Sequence, residues 1–292
     1  MPELPEVETI RIGLAKLLPG RTIKTVDFNW PKSFPNPKDD VQRFLIDATI
    51  TKIRRRAKVL IIDLSTDYSL IIHLKMTGQL VFRSRTHRFG AGHPSDSLIG
   101  ELPDKSTRVT LQFKDGSQLF FNDQRKFGWV RLLPTIAIMD LNFFKKVGPE
   151  PLSSSSTWLV LQERLKRRQK STIKAALLDQ SVIAGVGNIY ADEALWGAKI
   201  HPALRVIDLS AKQLQTLFNE LIFVLKLAIE KGGSTDRNYV NAKGKKGSYM
   251  SFARVFRREG QPCPRCGTII IKIRVAGRGT HICPHCQQIR VS

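Results

Sequence analysis

Two short apolar runs, Val59-Leu60-Ile61-Ile62-Asp63-Leu64 and Leu70-Ile71-Ile72-His73-Leu74, flank the turn residues Thr66-Asp67. Both runs are rich in β-branched residues, and together they predict an antiparallel hairpin. Outward from this hairpin the same rhythm recurs. Thr49 to Ile53 precedes it and Gly78 to Phe82 follows it. Arg108 to Phe113 and Gln118 to Asn122 form a second hairpin around Lys114-Asp115-Gly116. Arg21 to Phe28 adds a strand before the set and Trp129 to Leu133 closes it, while the proline-rich Trp30 to Pro37 reads as a loop. Arg83 to Lys105, rich in His, Gly, Ser and Pro, reads as a long excursion loop. Many short strands with turn signals between them predict a β-sandwich or flattened barrel with one helix at its edge.

That helix opens the chain. In Met1-Pro2-Glu3-Leu4-Pro5-Glu6-Val7-Glu8, Pro5 suits a first helical turn, and Val7, Ile10, Leu14 and Leu17 recur at helical spacing. A methionine before proline is normally trimmed, which would leave Pro2 with a free secondary amine. Such an amine titrates near 8, about two units below lysine, and attacks electrophilic carbon to give an iminium. A capped helix with no chemistry would show the same residues, so the rest of the chain has to decide.

Beyond residue 134 the strand rhythm stops, and Ser153-Ser154-Ser155-Ser156 marks a boundary and a helix cap. Helices are then expected over Trp158 to Arg168, Thr172 to Asp179, Ile189 to Trp196 behind an Asn188 cap, and Leu209 to Lys231. The 292 residues suffice for two cores, and Lys+Arg exceeds Asp+Glu by 47 to 25, a net charge of +22. That charge favours a polyanion, most often nucleic acid. A membrane surface is the competing partner, but there is no apolar run of about 18 residues, signal-peptide pattern or lipidation motif. An intracellular, cytoplasmic protein is expected.

All four cysteines fall in the last thirty residues, as Cys263-Pro-Arg-Cys266 and, sixteen residues on, Cys283-Pro-His-Cys286. Two such pairs suit a closed tetrahedral zinc ribbon, with a rubredoxin-like iron site as the alternative. His281 and His285 are then bystanders, because four sulfurs fill the shell. Gly277-Arg278-Gly279 at the ribbon tip offers a guanidinium to a phosphate. Gly185-Val186-Gly187-Asn188 before a helix is a candidate anion site, with Lys170 and Lys174 on the preceding helix; a plain helix cap is the alternative.

Three stretches carry a resemblance to the bacterial formamidopyrimidine-DNA glycosylase family: Pro2 to Thr9, Gly185-Val186-Gly187-Asn188-Ile189-Tyr190-Ala191, and Gly277 to His281 with the Cys283–Cys286 pair. The resemblance spans nearly the whole chain. It implies an α+β protein: an N-terminal β-sandwich with an edge helix over 1–134, a linker over 135–152, a helix–two-turns–helix domain with a lid loop over 153–249, and a zinc-ribbon finger over 250–292. It implies a bifunctional glycosylase and abasic-site lyase, monomeric, holding one structural zinc. The partner would be duplex DNA carrying 8-oxoguanine, formamidopyrimidines or abasic sites. Pro2 would be the nucleophile, Glu3 the proton donor that opens the sugar, and Glu6 would help organise attack. Lys58 would assist β-elimination and Arg278 δ-elimination. Lys170, Lys174 and Asn188 would hold phosphates, and Met76, Arg125 and Phe127 would fill the void left by the extruded base. Ser234, Arg237 and Tyr239 would belong to the lid. The sequence departs from the family where Ser106 replaces a phosphate-binding histidine, with Arg108 as its substitute, and where Phe256-Arg257 replaces Tyr-Gly. The Arg83–Lys105 segment is also longer. A related endonuclease of the same fold, acting on oxidised pyrimidines, is the alternative.

Overall fold

A computed structural model of the chain describes residues 2–93, 95–234 and 249–289. The chain divides into two compact units, Met1–Lys145 with Lys231–Ser248, and Lys146–Glu230 with Tyr249–Ser292.

Among the described residues the first unit contains helix α1 (Leu4–Leu14), nine strands and several short helical turns. One sheet has four strands in the order β2 (Ile50–Arg56), β3 (Val59–Leu64), β4 (Tyr68–His73), β9 (Trp129–Pro134). The other has five, β1 (Ile23–Phe28), β7 (Thr107–Phe113), β8 (Gln118–Asp123), β5 (Gly78–Arg83), β6 (Arg88–Gly92). Every strand pairing is antiparallel. The predicted hairpin is present with Val59 opposite His73 and Asp63 opposite Ser69. Leu60, Ile62, Leu70 and Ile72 from one sheet and Leu80, Phe82, Leu111 and Phe121 from the other share one core with Val7, Ile10 and Leu14 of α1. Each such buried side chain stabilises the fold by about 1.5–3 kcal/mol. One expectation is corrected. The excursion beginning at Arg83 carries a strand of its own, β6, which pairs with β5 and puts Phe89 and Ala91 into the core. Its two core residues alternate with Gly90 and Gly92, which lack side chains and mask the pattern.

The second unit packs helices α2 (Trp158–Leu165), α3 (Ile173–Leu178), α4 (Asn188–Gly197) and α5 (Ala211–Glu230) around Leu161, Leu177, Tyr190, Leu195, Leu217 and Leu221. Thr157, not the serine run, caps α2 by accepting from Val160 N at 3.3 Å. Thr172 caps α3 in the same way. The ribbon hairpin of β10 (Ile271–Val275) and β11 (Arg278–Ile282) turns through Ala276 and Gly277, both with positive φ, a type I′ geometry that suits strand twist. No helix among the described residues is long and apolar enough to cross a membrane.

Candidate functional site

Helix α1 starts in a buried position. Pro2 is buried, and Glu3 and Glu6 are only 4% and 6% exposed. Glu3 is the N-cap of a capping box in which its amide donates to Glu6 Oε2 at 2.8 Å. The other Glu6 oxygen, Oε1, accepts Ser234 N at 2.8 Å. Glu6 thereby ties the residue beside Pro2 to Ser234, whose neighbour Gly233 adopts φ +86° against the Glu6 side chain. Glu8, two residues on, is held by Arg11 and Arg55 at 2.8 Å each. Burial pushes its carboxyl up, but the two arginines more than offset that and leave it below the usual carboxylate range. Met1, Arg237 and Tyr239 lie outside the described residues.

Lys58 sits in the two-residue turn between β2 and β3, after Ala57 with φ +53°, and is 6% exposed. Close by in the sheet is His73, packed against Trp129 and Phe143. Burial, then the charges of Lys75 and Lys58, lowers its pKa to about 3, so the ring is neutral at physiological pH. Its Nδ1 accepts Lys75 N at 3.0 Å and helps shape the turn that presents Met76. Met76 and Phe127 are 38% and 54% exposed, and the Arg125 guanidinium lies 4.8 Å over the Phe127 ring.

Arg108 does not replace the missing histidine. It is 6% exposed, with Nε donating to Asp123 O at 2.8 Å, Nη2 to Lys105 O at 2.8 Å, and Nη1 to Asn29 Oδ1 and Thr107 O at 3.3 Å each. Those bonds turn the guanidinium inward as a backbone staple. Ser106 is also buried, bonded to Asp104 and Ser97.

In the second unit Lys174 is likewise turned inward. It is 0% exposed, and its Nζ donates to Asp192 Oδ1 at 2.6 Å and Thr280 Oγ1 at 2.7 Å. Such burial leaves it no phosphate-facing surface. Asp192 also accepts His281 N at 2.9 Å, so the pair joins α3, α4 and β11. Asn188 is the first residue of α4 behind the N-cap Gly187, not the cap itself, and its Nδ2 donates to Gly279 O at 3.0 Å. Lys170 and Arg278 are exposed. Asn188, Arg257, Lys272 and Arg278 line an open depression of about 610 Å³ with three cations at its edge. Phe256 stands edge-on to His281 at 4.9 Å, and Arg257 takes φ +57°, the backbone conformation glycine adopts most easily.

The four cysteine sulfurs lie within 4.8 Å of one another, with Cys266 at 3.5 Å from Cys283 and 3.4 Å from Cys286, and Cys263 at 4.0 Å from Cys286. Tetrahedral Zn–S bonds of about 2.3 Å place sulfurs about 3.8 Å apart, so the set fits zinc. Arg265 within the first knuckle donates to Trp196 O at 3.1 Å and Gly197 O at 3.2 Å, capping the negative end of α4.

Sequence reasoning missed Asp192 and Glu193. Glu193 is fully buried, and its Oε1 accepts the amides of Val255 and Phe256 at 2.9 and 2.8 Å. The available signal was two acids inside a helix otherwise apolar on all sides, Tyr190 to Trp196.

Taken together, these features define a zinc-ribbon protein with a sandwich unit and a helical unit and a cationic surface on the ribbon. Three family profiles match: the formamidopyrimidine-DNA glycosylase N-terminal domain over residues 1–130, the formamidopyrimidine-DNA glycosylase H2TH domain over 147–239, and the zinc finger found in FPG and IleRS over 260–289. The chain belongs to the formamidopyrimidine-DNA glycosylase family. It is 43% identical over 291 residues to the formamidopyrimidine-DNA glycosylase of Enterococcus faecalis, covering 99% of this chain and 98% of that one. Identity to the Pediococcus pentosaceus protein is 41%, covering 99% and 100%. Among solved structures, a Lactococcus lactis FPG mutant in complex with Fapy-dG-containing DNA superimposes with TM-score 0.86 at 36% identity, covering 98% of this chain and 100% of that one. MutM in complex with carbocyclic 8-oxo-G-containing DNA gives 0.84 at 36%, with the same coverage.

Proposed function

We propose that this chain excises oxidised purines, 8-oxoguanine and formamidopyrimidines, from duplex DNA and then nicks the strand at the abasic site. It would act as a cytoplasmic monomer on nucleoid DNA. The observation that carries this reading is that Pro2 is buried at the start of α1, next in sequence to a reciprocal Glu3–Glu6 capping box. A disordered terminus ahead of an ordinary helix would leave all three in water.

Once Met1 is removed, the Pro2 amine attacks C1′ of the damaged nucleotide, the glycosidic bond breaks and the base leaves. Glu3 donates the proton that opens the sugar. The resulting iminium is the electron sink for loss of the C2′ proton and cleavage of the C3′–O bond, after which δ-elimination cleaves the C5′–O bond. Lys58, mostly withdrawn from solvent, serves the β-elimination, and Glu6 keeps the nucleophile's neighbour in register with Ser234. Arg278, with Asn188 and Lys170, grips phosphates, while Met76, Arg125 and Phe127 enter the stack. The four cysteines hold the zinc; its chemistry is structural, folding the ribbon that presents Arg278. The division into 1–134, 135–152, 153–249 and 250–292 follows from the same assignment.

Borohydride should trap the protein on a duplex with 8-oxoguanine opposite cytosine, and peptide mapping should place the link on Pro2. A cross-link at an internal lysine, or undiminished trapping by Pro2→Gly, would sink the assignment. A thymine-glycol duplex cleaved in preference to the 8-oxoguanine duplex would move the substrate class to oxidised pyrimidines.

A further inference from the structure

Thr77 and Asp123 have no part in the chemistry above, yet they join the two loops that carry Met76 and Arg125–Phe127. The sheet brings those loops together, because Gly78 opens β5, Asp123 closes β8, and the two are register partners. Gly78 N closes the Met76 turn onto Leu74 O at 2.9 Å, and a Cβ at residue 78 would lie 2.3 Å from that oxygen. Across the sheet Asp123 is 0% exposed. Its Oδ1 accepts the Thr77 hydroxyl and Arg125 N, the latter at 3.2 Å, and its Oδ2 accepts Gly128 N at 2.6 Å. Arg125 N also donates to Thr77 Oγ1 at 3.1 Å. A Cβ at residue 128 would meet the Phe121 ring at 2.6 Å and Asp123 Oδ2 at 3.1 Å, so the second loop is seated as tightly as the first.

A side chain that fills the gap left by an extruded base is loaded by the stack trying to close, and separating base steps costs a few kcal/mol. Exposed tips cannot resist that load alone; the stiffness has to come from beneath them. We propose that Thr77 and Asp123 form a buried latch that makes the Met76 loop and the Arg125–Phe127 loop one rigid wedge. Both are positioning residues for base extrusion, an assignment that rests on reading Met76, Arg125 and Phe127 as the groups that enter the duplex.

The test uses full-length, zinc-loaded protein. Thr77→Val keeps the side-chain shape and removes the hydroxyl, and Thr77→Ser restores it. Single-turnover base release from an 8-oxoguanine·cytosine duplex is compared with borohydride trapping on a single-stranded abasic oligonucleotide, which has no duplex stack to open. Thr77→Val should slow base release at least about tenfold, leave single-strand trapping within about twofold of the parent, and be rescued by Thr77→Ser. Asp123→Asn, with its melting temperature measured alongside, should show the same split between the two assays. Equal losses in both assays, or none in either, overturn the latch. Met76→Ala and Phe127→Ala separate the two levels of the proposal. If they slow duplex base release and Thr77→Val does not, the latch alone fails. If they leave it at the parental rate, the wedge reading fails and takes the latch with it.

Discussion

Lys174 and Lys170 look alike in sequence, four residues apart in a basic stretch, yet one is 0% exposed and the other lies in solvent. Removing the buried ammonium in Lys174→Met strands Asp192, which should destabilise the second unit by about 3–5 kcal/mol in urea unfolding. Lys170→Ala should leave stability unchanged and lower the salt slope of DNA binding by about one. If Lys174→Met lowered the salt slope without loss of stability, the reassignment would be wrong. His73 sets a pH signature. Its unfolded imidazole takes a proton near 6.5 and its folded one only near 3, so between those values the unfolded state binds more protons. Its contribution to stability is complete above pH 6.5 and is lost as pH falls toward 3. From pH 6.5 to 5 the parent should lose about 1.6 kcal/mol more than His73→Gln in urea unfolding. Neither environment was legible beforehand: Asp192 meets Lys174 only through folding, and although Lys75 is a sequence neighbour of His73, the burial that dominates its shift comes from folding.

At the scale of elements, the strands of the first unit followed from short apolar, β-branched runs and turn residues, which are local. The β6 strand escaped because its glycines replace half the expected side chains, and because an edge strand gains its pairing from β5, not from its own sequence. The ribbon is the opposite case, since cysteine spacing alone fixed the metal arithmetic, although the tip expected at Gly277-Arg278-Gly279 turns through Ala276-Gly277 and leaves Arg278 and Gly279 in β11. Because metal affinity there is folding free energy, stripping zinc should unfold β10–β11 and abolish DNA binding. A demonstrably metal-free sample that bound DNA normally would remove the ribbon from the interface. Glu193 ties α4 to the segment leading into that ribbon. Glu193→Gln puts an amide donor where three backbone amides converge, which should cost about 2–4 kcal/mol and raise the rate of zinc loss to a chelator.

For the molecule as a whole, a net charge of +22 makes DNA affinity an ionic-strength measurement. The association constant should fall linearly on a log–log plot against salt, with a slope set by the number of phosphates engaged. A flat dependence would contradict the proposed interface. What the sequence by itself determined were the features encoded within a few residues of one another: the Pro2–Thr9 motif, the strand and helix periodicities, the cysteine knuckles and the excess of cations. Only the tertiary structure decided which cations face water. Lys174 was drawn inward by Asp192 and Thr280, and Arg108 by Asp123 O and Asn29 Oδ1 as well as by its near neighbours Lys105 O and Thr107 O, while Lys170 and Arg278 remained outside. The physical reason is that periodicity and charge are local sums, whereas desolvation depends on every atom that folding packs around a group. The same atoms joined Glu6 to Ser234 and Thr77 to Asp123, contacts that have no counterpart in spacing.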